Sequence, residues 1–426
     1  MVDVPMGNQN GHDVIALSLN VLDQSIRFIA GASGGMVTGG YLAELSARAG
    51  RGEPVPGSLT GFIEQDILAY QQQPRPIRPP GMDAPPPRRV PQARDSLSAI
   101  AWQLLRDLGH IVRSRAIEAD RGRVLQAHWQ TLDRPFASLR EEEAQGIRPS
   151  VIFSPMLIES GAPFFISNLD LQAFRTKFRR HGQSNADDHS AELFRVMPGA
   201  HAEDGLTVAT AARLSATFPY IVPAVSLPTV PYRRVVDAGY YDNYGIDVVT
   251  GILNTEAVRD WVVRNCSGVL VIALRAFADE SQEDTPDADP DTEPDGPAPA
   301  LARLFWWLTS PVEAMFNARG SSQSFRNQEQ LRLTRQLYGA ALARARAAEG
   351  GTDEKWAGDW QQQGRDFVDI VTFACAEESS MSWHLSEADM TRLQDAARAV
   401  TARDRPDMQR LLELWNRQHG SKPPLA

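Results

Sequence analysis

The spacing of apolar and polar positions predicts a largely helical chain interrupted by a few short, strongly apolar strands. Between 13 and 25, Val14, Ile15, Leu17, Leu19, Val21 and Leu22 suit a buried helix. A short apolar strand over 27–30 runs into a glycine-rich turn, and a helix follows from about 36 to 48. A second helix covers 59–72, with Phe62, Ile63, Ile67 and Leu68 on one face. Residues 96–146 read as helical, and Ile100, Leu104, Leu105 and Leu108 mark a buried face. The run 151–158 reads as a strand. It turns at Glu159-Ser160-Gly161, and 164–169 forms its hairpin partner. A small-residue helix over 207–217 carries so many alanines that it must pack closely on another element. A strand over 230–237, a helix over 246–265 and a strand over 268–274 complete a strand–helix–strand unit. The unbroken apolar character of the last strand predicts a sheet covered on both faces. Further on, the pattern predicts a helix reaching about 347, a strand near 367–374, and helices over 387–402 and 406–418.

Three stretches break this pattern. Residues 74–92 hold too many prolines for a helix or a sheet interior, which leaves an extended surface excursion. An insertion in a surface loop is the simpler reading and a binding segment the alternative. Residues 180–190 are polar and suit an exposed loop, while 279–300 are acidic, proline-rich and free of aromatics, the composition of a disordered or mobile loop. The domain organisation expected is therefore a catalytic domain over 1–275 with its insertion at about 74–92, an acidic linker or loop over 276–300, and a mainly helical region over 301–426 packing on the core. The fold class expected is α/β: three α/β/α layers around a mostly parallel central sheet, with a largely helical C-terminal extension.

Composition narrows the function classes. A hydrophobic fraction of 42% and a charged fraction of 23% are those of a globular protein. A net charge of −10 argues against a nucleic-acid surface spread over the chain. Cys266 and Cys375 offer neither a disulfide framework nor metal spacing, and both sit in apolar runs that suit buried free thiols. The N-terminus lacks the layout of a secretory signal, and no apolar run is long enough to span a bilayer. A cytoplasmic protein or one at a membrane periphery is the expectation. Leu304-Phe305-Trp306-Trp307-Leu308 suits either an interfacial anchor making peripheral membrane contact or a buried aromatic cluster.

Candidate chemistry gathers at Gly31-Ala32-Ser33-Gly34-Gly35, a G-x-S-x-G turn between a strand and a helix. Glycines at 31, 34 and 35 would remove side chains that collide with the strand or with substrate. The N-terminus of the following helix would face Ser33 with unpaired N–H groups and the positive end of its dipole. A serine needs a proton acceptor, and two candidates follow it. Asp237 ends a strand, where open α/β sheets place their ligands, and Gly239 allows close backbone approach; an ordinary strand-end turn would also use an aspartate here. His384 would complete a Ser…Asp…His order, or else pack beside Trp383.

Three blocks together resemble the patatin-like phospholipase family. Gly31–Gly35 with its small-residue helix is similar to that family's nucleophile elbow, and Asp237-Ala238-Gly239-Tyr240-Tyr241-Asp242-Asn243-Tyr244-Gly245 to its second motif. Ala212-Arg213-Leu214-Ser215-Ala216-Thr217-Phe218-Pro219, followed by Pro223, is similar to the helix end between them. The resemblance covers roughly 13–275, with a further part from 375 to 385. It implies a hydrolase of lipid or phospholipid acyl esters working through a Ser–Asp dyad without metal or organic cofactor. Ser33 would be the nucleophile, Asp237 the proton acceptor, and the Gly34 N–H an oxyanion donor. One departure stands out. The family's Gly-Gly-Gly-x-Arg-Gly oxyanion loop has no counterpart among the 32 residues before Ser33, where Gly7 and Gly11 are the nearest glycines upstream of the elbow itself. Three expectations follow: a truncated N-terminus, which the loss of a whole core strand favours; an oxyanion held by Gly34 and an unrelated donor; or an impaired, lipid-binding homologue. Losing one oxyanion donor costs about 10²–10³ in turnover. A Ser33–Asp237–His384 triad esterase is the alternative enzyme.

Overall fold

The computed structural model describes residues 26–56, 58–72, 121–171, 191–197, 205–217, 224–275, 300–348, 360–374 and 387–419. The expected elements at 13–25, 74–92, 96–120 and 180–190, the Phe218-Pro219 block, the acidic run over 279–299, Cys375 and His384 lie outside these residues, as do the side chains of Leu304–Leu308.

The chain is mixed α/β. Strand β1 (Phe28–Gly31) leads into helix α1 (Ser33–Gly50), which begins at the serine itself rather than three residues later. Helix α2 (Leu59–Gln72) has the expected bounds. The region read as continuously helical to 146 is broken into α3 (Arg121–Gln126), two 3₁₀ turns (Gln130–Leu132, Phe136–Leu139) and α4 (Arg140–Ala144). Next come β2 (Ser150–Phe153), β3 (Met156–Leu157), β4 (Phe164–Phe165), β5 (Ala191–Glu192) and the short helix α5 (Leu193–Val196). Helix α6 (Val208–Ser215) is capped by the Thr207 hydroxyl, which accepts from the Thr210 N–H. Ala209, Ala211, Ala212 and Ala216 are fully buried, as its composition predicts. Strands β6 (Val225–Leu227) and β7 (Arg233–Val236) follow. The single helix expected over 246–265 is two, α7 (Ile246–Leu253) and α8 (Glu256–Asn265), because Thr255 adopts extended backbone at the start of the second. The rest comprises β8 (Val269–Arg275), α9 (Ala300–Ala348), α10 (Trp360–Phe367), β9 (Val368–Ala374), α11 (Glu387–Val400) and α12 (Pro406–His419).

The described strands form four small sheets rather than one. β1 pairs with β2, β4 with β5, and β8 with β9, all parallel; β3, β7 and β6 form an antiparallel trio in that order. Contacts divide the chain into a unit of 1–252 with 379–426 and a unit of 253–378, so the divisions fall at different places from 275 and 300.

In the first unit the core gathers Met36, Tyr41, Phe62, Leu125, Leu132, Phe136 and Phe153 with the alanine face of α6. Helix α1 is tied down at two places. Tyr41 Oη donates to Asp66 Oδ2 at 2.7 Å, and the same carboxylate accepts from the Thr131 N–H and hydroxyl at 2.7 and 2.9 Å. Buried Glu44 meets Arg148 at 3.0 Å and Arg134 at 3.2 Å, which joins α1 to the chain entering β2. Close approach to β1 runs through Gly39, where a Cβ would lie 3.0 Å from Ile29 Cγ2.

In the second unit, β8 and β9 pair over their full lengths, from Val269 with Val368 to Arg275 with Ala374. Helices α9 and α10 cross at Gly339 and Gly364, where a Cβ on either would overlap a backbone carbonyl of the other helix. Tyr338 stacks on Phe367 and donates to the Leu253 carbonyl at 3.0 Å. The two-sided cover expected for β8 is not found: Val271 and Ala273 are buried, but Ile272 is 37% and Leu274 76% exposed. One face packs and the other is open, so an apolar run reports composition rather than cover. Cys266 is half-buried rather than buried. No helix among the described residues is long and apolar enough to cross a membrane.

Gly245 supplies the sharpest backbone constraint in the first unit. Its φ is +72°, and a Cβ there would sit 2.6 Å from the Ala30 carbonyl oxygen and 2.8 Å from the Gly31 nitrogen. Gly52 has a similar φ of +71° but open surroundings. Gly245→Ala should therefore lower unfolding free energy by about 2 kcal/mol or more, and Gly52→Ala by only about 1 kcal/mol, as read by urea titration.

Candidate active site

The segment 150–158 organises the site through its two edges. Its odd-numbered residues face the hairpin return: Phe153 N–H donates to Ile166 O at 3.1 Å, Leu157 N–H to Ala162 O at 2.9 Å, and Pro155 O accepts from Phe164 N–H at 2.7 Å. Its even-numbered residues face the other edge: Ser150 N–H donates to Arg27 O at 3.0 Å and Ile158 N–H to Arg234 O at 2.9 Å. That second edge carries two strands end to end. β1 runs parallel along 150–153, with Gly31 opposite Phe153, and β7 runs antiparallel along 157–156, with Val236 opposite Met156. Their carboxyl ends therefore converge at Ser154-Pro155. The residues that follow them are Ala32-Ser33 and Asp237.

Ser33 is held in the conformation an elbow requires. It has a φ of +50°, unique among non-glycine described residues, between extended Ala32 and the body of α1. Such a backbone costs of order 1–3 kcal/mol and persists only where its surroundings impose it. The N-terminus of α1 carries neither a side-chain cap nor an acidic residue in its first turn, and its first N–H groups have no acceptor within the helix. The motif glycines are not there for the reason of steric conflict with the strand. A Cβ on Gly31 would make an ordinary 3.4 Å contact with Met36 Sδ, and one on Gly34 or Gly35 would meet nothing within 4 Å among the described residues.

Asp237 lies directly after β7 and is 4% exposed. Its Oδ1 accepts from the Gly239 N–H at 2.8 Å, and a Cβ at 239 would crowd that carboxylate and Asn243 at 3.0 Å. Burial pushes the carboxyl up to about 6, from an ordinary value of 3.8, against the opposing effects of the Gly239 N–H and the nearby Ser33 hydroxyl. The Ser33 hydroxyl is thus close enough to act on the carboxylate, yet among the described residues Oδ2 has no donor at full hydrogen-bonding geometry. We read the pair as a loose contact, which is common for catalytic pairs without substrate. Asp242 holds the rest of the loop. Its Oδ2 accepts from Asp247 N–H at 2.9 Å and Val248 N–H at 3.4 Å at the start of α7, and its Oδ1 from Tyr244 N–H at 3.2 Å.

The structure therefore brings Ser33, Gly31, Gly34, Gly35, Asp237 and Gly239 to one place, while His384 lies outside the described residues. Ser154 was not singled out by sequence reasoning. It is 1% exposed, its Oγ has no hydrogen-bond partner among the described residues, and it sits where β1 and β7 meet. The signal that could have found it is the polar Ser154-Pro155 break in an otherwise apolar run. Among the described residues no three His, Cys, Asp or Glu side chains gather as a metal-binding group. No protein-family model matches the chain, and no curated protein is significantly similar to it.

The raised carboxyl has a consequence for stability. Between about pH 4 and 6 the unfolded chain releases the Asp237 proton while the folded chain retains it, so stability falls as pH rises through this window and levels off above 6. Asp237→Asn keeps the Oδ1 acceptor and removes the buried charge. It should be more stable than wild type at pH 8, by on the order of 3 kcal/mol at 1.36 kcal/mol per pKa unit, and equally stable near pH 3. Urea unfolding at the two pH values measures the difference.

Proposed function

We propose that this protein is a serine acyl hydrolase that cleaves carboxylic esters through a Ser33–Asp237 dyad and an acyl-enzyme intermediate. The observation that carries the reading is the pairing of a left-handed serine at a strand-to-helix turn with a buried, elevated carboxyl at the end of a converging strand. Ser33 Oγ attacks the ester carbonyl as its proton passes to Asp237. The oxyanion forms against the Gly34 N–H and the uncapped end of α1, where partial positive charge is already in position. Collapse breaks the ester C–O bond, and the leaving alcohol takes the proton from Asp237. Water then hydrolyses the acyl-Ser33, and the proton returns to the serine. Desolvation suits Asp237 to this work: it is ionised at neutral pH yet more basic than an exposed aspartate.

The resemblance of the Gly31–Gly35 and Asp237–Gly245 blocks to patatin-like phospholipases extends the proposal to lipid or phospholipid esters, with peripheral membrane contact and a cytoplasmic or membrane-surface location. A three-layer α/β/α arrangement belongs to the same reading. The parallel β1–β2 pair and the β1–turn–α1 connection support it.

Turnover of p-nitrophenyl esters and of phospholipid vesicles tests the proposal. Ser33→Ala and Asp237→Asn should each remove activity while circular dichroism stays that of wild type, and a fluorophosphonate probe should label Ser33. kcat/KM should fall tenfold per pH unit below about 6 and level off above it, because the base must be deprotonated. A wild-type chain that neither turns over esters nor takes the probe would sink the enzyme reading; retained vesicle binding would then favour a lipid-binding protein.

A further inference from the structure

We infer that Asp242 is a positioning residue for the dyad, its carboxylate fixing the turn that carries Asp237 relative to the strand that carries Ser33. The inference rests on the hydrolase reading above. What carries it is where the contacts of this one residue end. Asp242 is 1% exposed and lies between Asp237 and Gly245 in the loop that follows β7. Its backbone N–H donates to the Ala238 carbonyl at 3.0 Å. In the same turn Tyr240 N–H donates to Asp237 O at 3.3 Å, and Gly239 N–H to Asp237 Oδ1 at 2.8 Å. Asp242 is thus bonded to the residue that directly follows the candidate base.

The side chain ties this turn to two further places. Oδ2 accepts from Asp247 N–H at 2.9 Å and Val248 N–H at 3.4 Å, at the start of α7. Ile246, Val248 and Thr250 are buried, so that end of α7 is a fixed point. Oδ1 accepts from Tyr244 N–H at 3.2 Å. Tyr244 precedes Gly245, which seats so closely on β1 that a Cβ there would lie 2.6 Å from Ala30 O and 2.8 Å from Gly31 N. Ser33 follows two residues after Gly31. One carboxylate therefore links both members of the dyad.

The residue type agrees with this role. A helix cap needs one acceptor, which a serine, threonine or asparagine supplies. Here both oxygens accept, Oδ2 from α7 and Oδ1 from the loop. A carboxylate offers two acceptor oxygens and no donor, which neither a hydroxyl nor an amide does. Two quantities then depend on Asp242. Burial is what raises the Asp237 carboxyl, so a turn released from α7 and β1 admits water and lowers it. Displacing one dyad member by about 1 Å costs up to ~10²-fold in rate. A residue that merely capped α7 would change stability and leave both quantities alone.

Steady-state hydrolysis of p-nitrophenyl butyrate across the pH range, with urea unfolding of the same proteins, tests this. Asp242→Asn keeps one acceptor for α7 and sets an NH2 group against the Tyr244 N–H. Its kcat should fall about tenfold or more while KM stays within about twofold. The midpoint of its kcat/KM profile should move down from about 6 by about one pH unit or more. Asp242→Ser also keeps a cap and loses the second acceptor, and should show the same changes even where the asparagine variant fails to fold. Thr207→Ala removes the cap of α6 in the same unit and should lower the urea midpoint with kcat and the pH midpoint unchanged. The inference is overturned if the Asp242 variants keep wild-type kcat or the wild-type pH midpoint, if both fail to fold, or if Thr207→Ala alters the kinetics in the same way. Ser33→Ala keeps the two readings apart. If wild type turns over the ester and Ser33→Ala does not, the dyad stands whatever Asp242 does; if wild type turns over none, both fall.

Discussion

The edge of segment 150–158 is shared by two strands that run toward each other, and the site depends on that sharing. β1 hydrogen-bonds along its first half and β7 along its second, one parallel and one antiparallel, so both carboxyl ends stop at Ser154-Pro155. Residues more than two hundred positions apart meet because each is the first or second residue past the end of its strand. Moving either register by one residue would turn every side chain of that strand to the opposite face and part the pair. The opposite edge is closed by the 163–166 return, which keeps the organising segment buried on both sides.

Several locally unfavourable features accumulate at this junction. Ser33 has a left-handed backbone, Asp237 is an ionisable group almost sealed from water, and Ser154 carries a buried hydroxyl without a partner among the described residues. Each costs of order 1–3 kcal/mol. The surroundings offset them: the Asp66 and Glu44 anchors fix α1, Asp242 caps α7, and Gly245 seats the loop against β1. Strain concentrated at one point in a well-packed unit is the arrangement expected of a site that reacts.

Much of this was legible in the chain. Helix α2 has the bounds its apolar spacing predicts, and α6, α11 and α12 differ from theirs by no more than two residues. Amphipathic spacing and a run of small residues are local signals, read from neighbours along the chain. Ser33 and Asp237 were legible as well, since a glycine-rich turn after a strand and an aspartate before a glycine are short-range patterns. The break between α7 and α8 was not, because 246–265 carries helix-compatible residues throughout and only the backbone at Thr255 interrupts it. The exposed face of β8 was not legible either, since Ile272 and Leu274 look the same in sequence whether covered or open.

At Ser33 the two levels of description separate cleanly. Sequence by itself determined that a serine stands at a strand-to-helix turn, that an aspartate ends a later strand, and which helices surround them, because those facts rest on side-chain period and turn chemistry. The tertiary structure alone decided that the two strands converge on one edge and that burial raises Asp237. It also showed that, among the described residues, close contacts demand a glycine at 245 rather than at 34 or 35. Register, burial and close approach are relations between distant segments. Spacing along a single chain does not encode them.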